Sequence, residues 1–323
     1  MDRIETETLS PDETGIARAV AIWRKGGLVA FPTETVYGLG ADATNGAAVA
    51  RIFAAKNRPA FNPLIIHVAD LASARRIAHF SDTAERLAGA FWPGPLSLVL
   101  PVRKGAGLSP LVTAGLDTVA VRVPQTRLAR ALLAAFGGAI AAPSANPSGT
   151  ISPTTAAHVL QGLAGRIDAV MDGGAAQVGL ESTIVHPDLA PPALLRPGGL
   201  PREAIEAALG CALQTTATAE KPLSPGQLLS HYAPKSRLRL DQATPPDGWF
   251  WLGFGRICEA ADLNLSASGD LVEAAANLFA MLHKADDIAR RDGLAGIAIA
   301  PVPDHGLGVA INDRLARAAA EKL

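Results

Sequence analysis

The sequence predicts an α/β protein: a mixed sheet with parallel and antiparallel strands, flanked by helices, then a smaller α/β domain. Three observations predict it. Short apolar runs interleave with amphipathic stretches of helical period along most of the 323 residues, the pattern of strands covered by helices. Several of those apolar runs adjoin with no helix between them, which a purely parallel sheet does not allow. Composition then shifts at Cys211–Pro234, rich in Thr, Ala, Pro and Ser and without apolar periodicity, and a second strand–helix series follows.

Taken in order, Ser10-Pro11-Asp12-Glu13 reads as an N-cap, a proline at the first helical position and a capping-box glutamate. Ile16, Ala19, Val20 and Trp23 recur at helical spacing, and Gly26-Gly27 ends the helix. The strand Leu28–Phe31 stops at Pro32 and opens onto Thr33-Glu34-Thr35-Val36-Tyr37-Gly38-Leu39-Gly40. A helix fits Ala47–Lys56, a buried strand Leu64–Val68, and helices Leu71–Ala78 and Asp82–Phe91. Strands follow at Leu96–Leu100 and Thr118–Val123, a helix at Gln125–Phe136, and a strand at Ala139–Ala142 that stops at the polar loop Pro143–Gly149. Further strands fit Ala169–Met171, Thr183–His186 and Ala193–Arg196, with a helix at Arg202–Leu209. Beyond the linker, strands are predicted at Arg237–Leu240, Trp249–Phe254 and Gly296–Pro301, and helices at Leu271–Arg291 and Val309–Ala320.

Apolar content of 49% and charged content of 18% describe a globular chain. A net charge of −1 lacks the basic excess of a protein that holds duplex nucleic acid through its phosphates. Cys211 and Cys258 are far apart and in no CxxC, so neither a zinc site nor a disulfide framework is expected. The acidic, polar N-terminal stretch is no signal peptide, and the apolar runs are far shorter than the ~20 residues of a membrane span. A soluble, cytoplasmic protein is expected.

Four polar clusters follow or end apolar strands. The first is Thr33–Tyr37; the second is Lys56-Asn57-Arg58 with Asn62 and His67. The third is Ser144-Ala145-Asn146, and the fourth is Glu181-Ser182-Thr183 with Arg196 before Pro197-Gly198-Gly199. Strand ends of an open α/β sheet are where ligands bind. Arg122, a lone cation in an apolar strand, reads by itself as the partner of a core carboxylate. Together Lys56, Arg58, Arg122 and Arg196, beside hydroxyls and amides and with few carboxylates to neutralise them, form an inventory for a polyanion. No GxxxxGK[ST] loop occurs, Gly38-Leu39-Gly40 lacks the third glycine of a dinucleotide fingerprint, and there is no HExxH or GxSxG. The residues alone therefore point to nucleotide chemistry without a Walker motif.

FPTETVYGLGAD, KNRPAFNPLIIHV, FWPGPLSLVL, VAVRVP, AAPSANPSG and ESTIV, in this order, resemble the YrdC-like domain. SPGQLLSHYAPKSRL and the terminal α/β segment are similar to the long, two-domain threonylcarbamoyl-AMP synthase branch of that family. The resemblance implies a YrdC-like twisted mixed sheet over residues 1–208, a linker or lid over 209–235, and a small Rossmann-like domain over 236–323. It implies that L-threonine, bicarbonate and ATP give threonylcarbamoyl-AMP and diphosphate, for threonylcarbamoyladenosine beside the tRNA anticodon. Its Lys-x-Arg and Ser-x-Asn signatures fall on Lys56, Arg58, Ser144 and Asn146 as the catalytic set. Its threonine pocket falls on Thr35, His67, Arg122, Ser182 and the main chain at Ala142. Its nucleotide contacts fall on Arg58, Asn62, Thr118, Ser144, Ser152 and Arg196, with Tyr232 folding over the nucleotide.

Lys56 and Arg58 are then expected at the α-phosphate and leaving diphosphate, and Thr35 on the threonine side. The glycines of Ala30–Asp42 are expected to let the backbone turn close to the ligand. Mg2+ is expected to bridge phosphates through ligand oxygens and water, with no protein metal site. Hand-over of product to the tRNA threonylcarbamoyl-transfer machinery is expected, without tight nucleic-acid or membrane binding. Two departures stand out: Ser230 where a basic residue commonly precedes HYAP, and Ser97 for the commoner threonine. The alternative is an RNA-binding module with a basic cleft and no catalysis, which the near-neutral charge argues against. A carbamoyl-transfer maturation factor would need cysteine-rich zinc repeats that two cysteines cannot build.

Overall fold

The structure, a computed structural model, describes residues 4–59, 61–215 and 231–320. Strands β1 (Glu7–Leu9), β2 (Val29–Pro32), β3 (Tyr37–Asp42), β4 (Ile65–His67), β5 (Leu96–Pro101), β6 (Thr118–Arg122), β7 (Ile140–Ala141), β8 (Ala169–Met171), β9 (Thr183–His186), β10 (Ala193–Arg196) and β11 (Gln214–Thr215) form the first sheet. It is 11-stranded, in the order β1-β8-β2-β3-β7-β4-β6-β5-β9-β10-β11. Parallel pairs such as β4 with β6 sit beside antiparallel ones such as β5 with β6, so the sheet is mixed. In the C-terminal part β12 (Leu238–Arg239), β13 (Phe250–Gly253), β14 (Leu263–Asn264) and β15 (Ile297–Ile299) form a parallel 4-stranded sheet, ordered β12-β15-β13-β14.

The large sheet is covered on both faces. Helix Gly46–Lys56 sends Val49 and Ile52 into one apolar cluster with Leu64, Ile66, Leu98 and Val121. Trp23 and Phe31 pack on the other side with Leu132, Leu133 and Met171, and no atom of Trp23 or Phe31 reaches solvent. A third cluster fills the C-terminal lobe around Phe279, Leu282 and Ile311, and it also takes in Val36, Ile151, Leu180 and Tyr232. The two lobes therefore share apolar contacts, and the ring of His158 stacks on that of His283 at 4.0 Å across the junction.

Several local expectations are corrected. The first helix, Glu13–Arg24, is capped by Asp12, whose side chain accepts from the Gly15 amide, and not by Ser10. Asp caps as well as Ser, and starting at Glu13 leaves an acidic residue in the first turn. Residues 7–9, read as polar N-terminus, add strand β1 to the edge of the sheet beside β8. Helix Ala156–Leu163, capped by Thr155, was not anticipated. The largest change is at Ala30–Asp42, where a single strand, Leu28–Phe31, was expected: after four loop residues, Tyr37–Asp42 returns as a second strand antiparallel to β2, and the stretch is a β-hairpin.

Gly38 lies in the wall of a cleft, whereas Gly40 has a different reason. A Cβ on Gly40 would lie 2.9 Å from Trp23, Phe31 and Ile140 side chains, so the strand needs glycine to pass beneath two aromatic rings. Of the expected 209–235 linker, residues 216–230, Ser230 included, lie outside the described residues, and with them most of the expected lid. The chain that re-emerges at His231 is held to the C-terminal lobe, where Asp286 accepts from the Lys235 and Ser236 amides at 3.1 and 2.7 Å.

Candidate active site

The turn between β2 and β3 is locked by its own hydroxyl. Thr33 donates to the Val36 carbonyl at 2.7 Å, and its oxygen accepts from the Thr35 and Val36 amides. A rigid turn fixes the direction of Glu34 and Thr35, both fully or nearly fully buried. They converge on Arg122 at the end of β6. The Arg122 guanidinium donates to Glu34 Oε1 at 2.5 Å, to the Thr35 hydroxyl at 2.8 Å and to the Gly94 carbonyl at 3.2 Å. Glu34 also accepts from the Gln125 amide at 2.9 Å. The expectation that few carboxylates neutralise the cations is thus corrected at Arg122, which does have a core carboxylate as partner.

His67 on β4 stands in register with Arg122. Burial, helped by the Arg122 charge, pushes its imidazole down to about 3, so the ring is neutral near pH 7. Its Nδ1 lies 3.3 Å from the Ile65 carbonyl. With the proton placed there, Nε2 is left as an acceptor. Ser182, just before β9, shares a hydroxyl pair with Ser97 at 2.8 Å. Ala142 closes this side, its amide already donating to the Ile65 carbonyl.

Opposite lie Arg58 and Arg196. Arg58 donates to the Asn62 and Pro63 carbonyls and has no acidic partner among the described residues; burial and the neighbouring Arg196 push it down to about 9. Burial lowers Arg196 as well, and its fork is set by the Ser182 carbonyl at 2.8 Å. Two buried guanidiniums, one further disfavoured by the other, in the wall of an open cleft describe a place that an anion would stabilise.

Lys56 behaves differently. Its ammonium is buried and points at the Ser144 carbonyl at 2.6 Å and at the Asn146 carbonyl and side-chain oxygens. Burial, with the Arg58 charge, holds it well below the usual lysine range. It anchors the Ser144–Asn146 loop from behind, while Asn146 Nδ2 donates to the Thr150 carbonyl at 2.8 Å.

The far wall comes from residues 181–182 and 231–232. Glu181 accepts from the Ser152 hydroxyl at 2.5 Å and from Arg314 of the C-terminal lobe at 2.8 Å. Burial alone would lift the Glu181 carboxyl, but Arg314, Arg196 and Ser152 bring it below the usual range. Tyr232 has a left-handed backbone, φ 64°, uncommon for a bulky residue, and its ring stacks on Phe279. The linker tyrosine thus lies against both lobes, part of their shared core.

One cleft is lined by Thr35, His67, Arg122, Ala142, Ser182, Arg58, Ser144, Arg196 and Tyr232. Lys56, Asn146, Asn62, Thr118 and Ser152 are not in its wall. Asn62 supplies its carbonyl to Arg58, Thr118 begins β6, and Ser152 reaches the cleft through Glu181. Sequence reasoning placed Thr33, Glu34 and Glu181 in polar clusters without assigning them, and missed His231 and Arg314. Arg314 had a signal: it falls on the apolar face of its helix with Leu307, Ile311, Leu315 and Ala318. Among the described residues no group of acidic, histidine or cysteine side chains is arranged to hold a metal, and no helix is long and apolar enough to cross a membrane.

Residues 21–198 match the family model described as "Telomere recombination", and residues 200–320 the one described as "Threonylcarbamoyl-AMP synthase, C-terminal domain". Threonylcarbamoyl-AMP synthase of Bacillus subtilis (strain 168) is 41% identical over 335 residues, covering 97% of this chain and 95% of the relative. That of Pyrococcus abyssi is 41% identical over 332 residues, covering 97% and 96%. The crystal structure of P. abyssi Sua5 complexed with L-threonine aligns with a TM-score of 0.87 at 39% identity, over 97% of each chain. A mixed sheet of this topology, a C-terminal α/β lobe and matches along nearly the whole length agree: the chain belongs to the threonylcarbamoyl-AMP synthase family.

Proposed function

We propose that this cleft converts L-threonine, bicarbonate and ATP into threonylcarbamoyl-AMP and diphosphate. The observation that carries the reading is that Arg58 and Arg196, two cations that burial disfavours and of which Arg196 disfavours Arg58 further, line one cleft with Arg122 and Thr35 of the Arg122–Glu34–Thr35 cluster. One half suits phosphates; the other suits an amino acid. Family membership and the threonine complex of the P. abyssi relative support the same division.

In this reading the threonine carboxylate meets Arg122 in the cleft wall, and its hydroxyl and amine lie near Thr35, Ser182 and the acceptor nitrogen of His67. The amine adds to bicarbonate with loss of water, giving a carbamate. A carbamate oxygen then attacks the α-phosphorus of ATP, and the bond to the bridging oxygen breaks to release diphosphate. Such a displacement needs in-line positioning and charge stabilisation more than a protein nucleophile. Arg58, Arg196 and Ser144 hold the phosphates, Tyr232 covers the nucleotide, and Ser152, Asn62 and Thr118 shape its surroundings. Lys56 and Asn146 act by fixing the Ser144 loop. Mg2+ would enter with the ATP phosphates and offset their charge; Glu181 of the cleft wall and Glu34 beside Thr35 are both engaged by arginines, so neither would be free to hold it. The product is a labile mixed anhydride, which fits a cytoplasmic enzyme that passes it to the tRNA threonylcarbamoyl-transfer machinery.

The test is diphosphate release from ATP by the pure, folded protein. Release that requires both L-threonine and bicarbonate is expected; ATP turnover indifferent to either would overturn the reading.

A further inference from the structure

Arg314 belongs to the C-terminal helix Leu307–Ala319 and none of its surface reaches solvent, yet its guanidinium lies in the wall of the other lobe. Nε donates to Glu181 Oε2 at 2.8 Å, Nη2 to the Pro197 carbonyl at 2.8 Å, and Nη1 to its neighbour Asp313. Its carbon centre sits 5.1 Å from the ring of Tyr232. Glu181 immediately precedes Ser182, and Pro197 immediately follows Arg196. One side chain from the second lobe therefore grips both ends of the paired strands β9 and β10 where they reach the cleft.

We propose that Arg314 is a positioning residue for the nucleotide side of the cleft. It holds the Glu181 carboxylate on Ser152 and shares its charge, so that Glu181, which also acts on Arg196, does not give its whole charge to the cation meant for phosphate. The C-terminal lobe then does more than anchor the returning chain. It completes the pocket.

Two independent features agree with this role. A buried ion pair is seldom the most stable way to fill a core, since apolar side chains of similar volume do as well or better. Its presence between lobes, aimed at one cleft carboxylate, argues for placement rather than for cohesion. The β9–β10 segment is also built to be gripped: the Gly199 amide donates to the Glu181 carbonyl at 2.8 Å, and a Cβ on Gly198 would lie 2.3 Å from that same carbonyl oxygen. Burial works against the Arg314 charge, but Tyr232, Glu181 and Asp313 around it outweigh burial and hold its pKa up.

The inference rests on the adenylylation reading, so threonine- and bicarbonate-dependent turnover of the unaltered protein is established first; its absence would sink that reading and not this one. Arg314→Met, Glu181→Gln and the double variant are then compared for KM of ATP, for KM of threonine, and for threonine binding by calorimetry without nucleotide. Arg314→Met, which leaves Glu181 charged beside Arg196, is expected to raise the KM of ATP by about 10-fold or more, with threonine affinity within about 2-fold. Adding Glu181→Gln to it should recover most of the loss, because the neutral amide no longer competes for Arg196. An unchanged KM for ATP, or equal weakening of both substrates without recovery in the double variant, would overturn the proposal. Should Arg314→Met fail to fold, the milder Arg314→Lys is read in its place, alone and with Glu181→Gln: a raised KM for ATP that the double variant recovers, with threonine affinity held, supports the proposal, and an unchanged KM refutes it.

Discussion

A guanidinium as deeply buried as that of Arg122 needs a counter-charge before any ligand arrives, and Glu34 supplies it. The pair also fixes geometry, because Glu34, Thr35 and Gly94 together set the plane of the fork. Arg122→Lys keeps the charge and loses that plane, so L-threonine affinity should fall about 10- to 100-fold; calorimetric titration reads this, and an unaltered affinity would exclude Arg122 from the site. Lys56 and Arg58 look equivalent in the sequence, and the residue between them separates their fates. Asn57 ends the helix in the left-handed region, φ 51°, which sends Lys56 behind the Ser144 loop and Arg58 into the cleft. Lys56→Met should therefore destabilise the fold by about 1–3 kcal/mol for each carbonyl it orphans. Arg58→Met should cost less stability and lower turnover ~100- to 1000-fold. Urea midpoints beside initial rates separate the two, and a Lys56→Met protein of undiminished stability would contradict the loop-anchor role. That a cation stood at each position was legible; which way it pointed was not, since direction came from a backbone angle.

At the scale of elements, β5, β6, β9 and β10 were plain in the sequence because buried strands read as unbroken apolar runs. Strand β3 was hidden because Tyr37-Gly38-Leu39-Gly40 is half glycine, a composition that strands usually avoid. Gly40 answers to Trp23 and Phe31, which lie elsewhere in the chain and cannot be read locally. The Pro197-Gly198-Gly199 turn has the same character. A Cβ on Gly198 would stand 2.6 Å from the Ser182 carbonyl carbon and the Thr183 amide, both backbone atoms, so the chain carrying Ser182 must shift. Gly198→Ala should cost about 1–3 kcal/mol of stability and weaken ATP use along with it. Gly89→Ala is the control: Gly89 lies in the helix Asp82–Phe91 with open space around it, so alanine should add about 0.5–1 kcal/mol and leave turnover alone. Equal effects from the two substitutions, by thermal unfolding and rate, would remove the close-approach argument.

For the whole molecule, the two lobes are joined through histidines that are buried without charge. His231 sits at the junction and His67 in the cleft, and burial pushes each down to about 3. His158, stacked on His283, is pushed down to about 4. All lie below the ordinary imidazole value near 6.5, so as pH falls the unfolded chain takes up protons that the folded chain refuses. Their contribution to stability is complete above pH 6.5 and declines between there and about 3. Each fully buried imidazole removes about 1.4 kcal/mol per pH unit in that window, or about 2 kcal/mol by pH 5, so His67 and His231 together remove about 4 kcal/mol. Carboxylates do not blur this reading, because Glu181 is held below the usual range and its contribution fades only at more acidic pH. Urea unfolding at pH 7.5 and pH 5.0 should show that loss, and His67→Asn should remove about half of the difference. A stability that stays flat between the two pH values would mean that these imidazoles are charged or solvated in the folded protein. Since three of the four line the lobe junction, hydrogen exchange at pH 5.0 should rise first in Ala156–Leu163 and in the facing turns of Leu271–Arg291, ahead of β4 and β6 in the catalytic core.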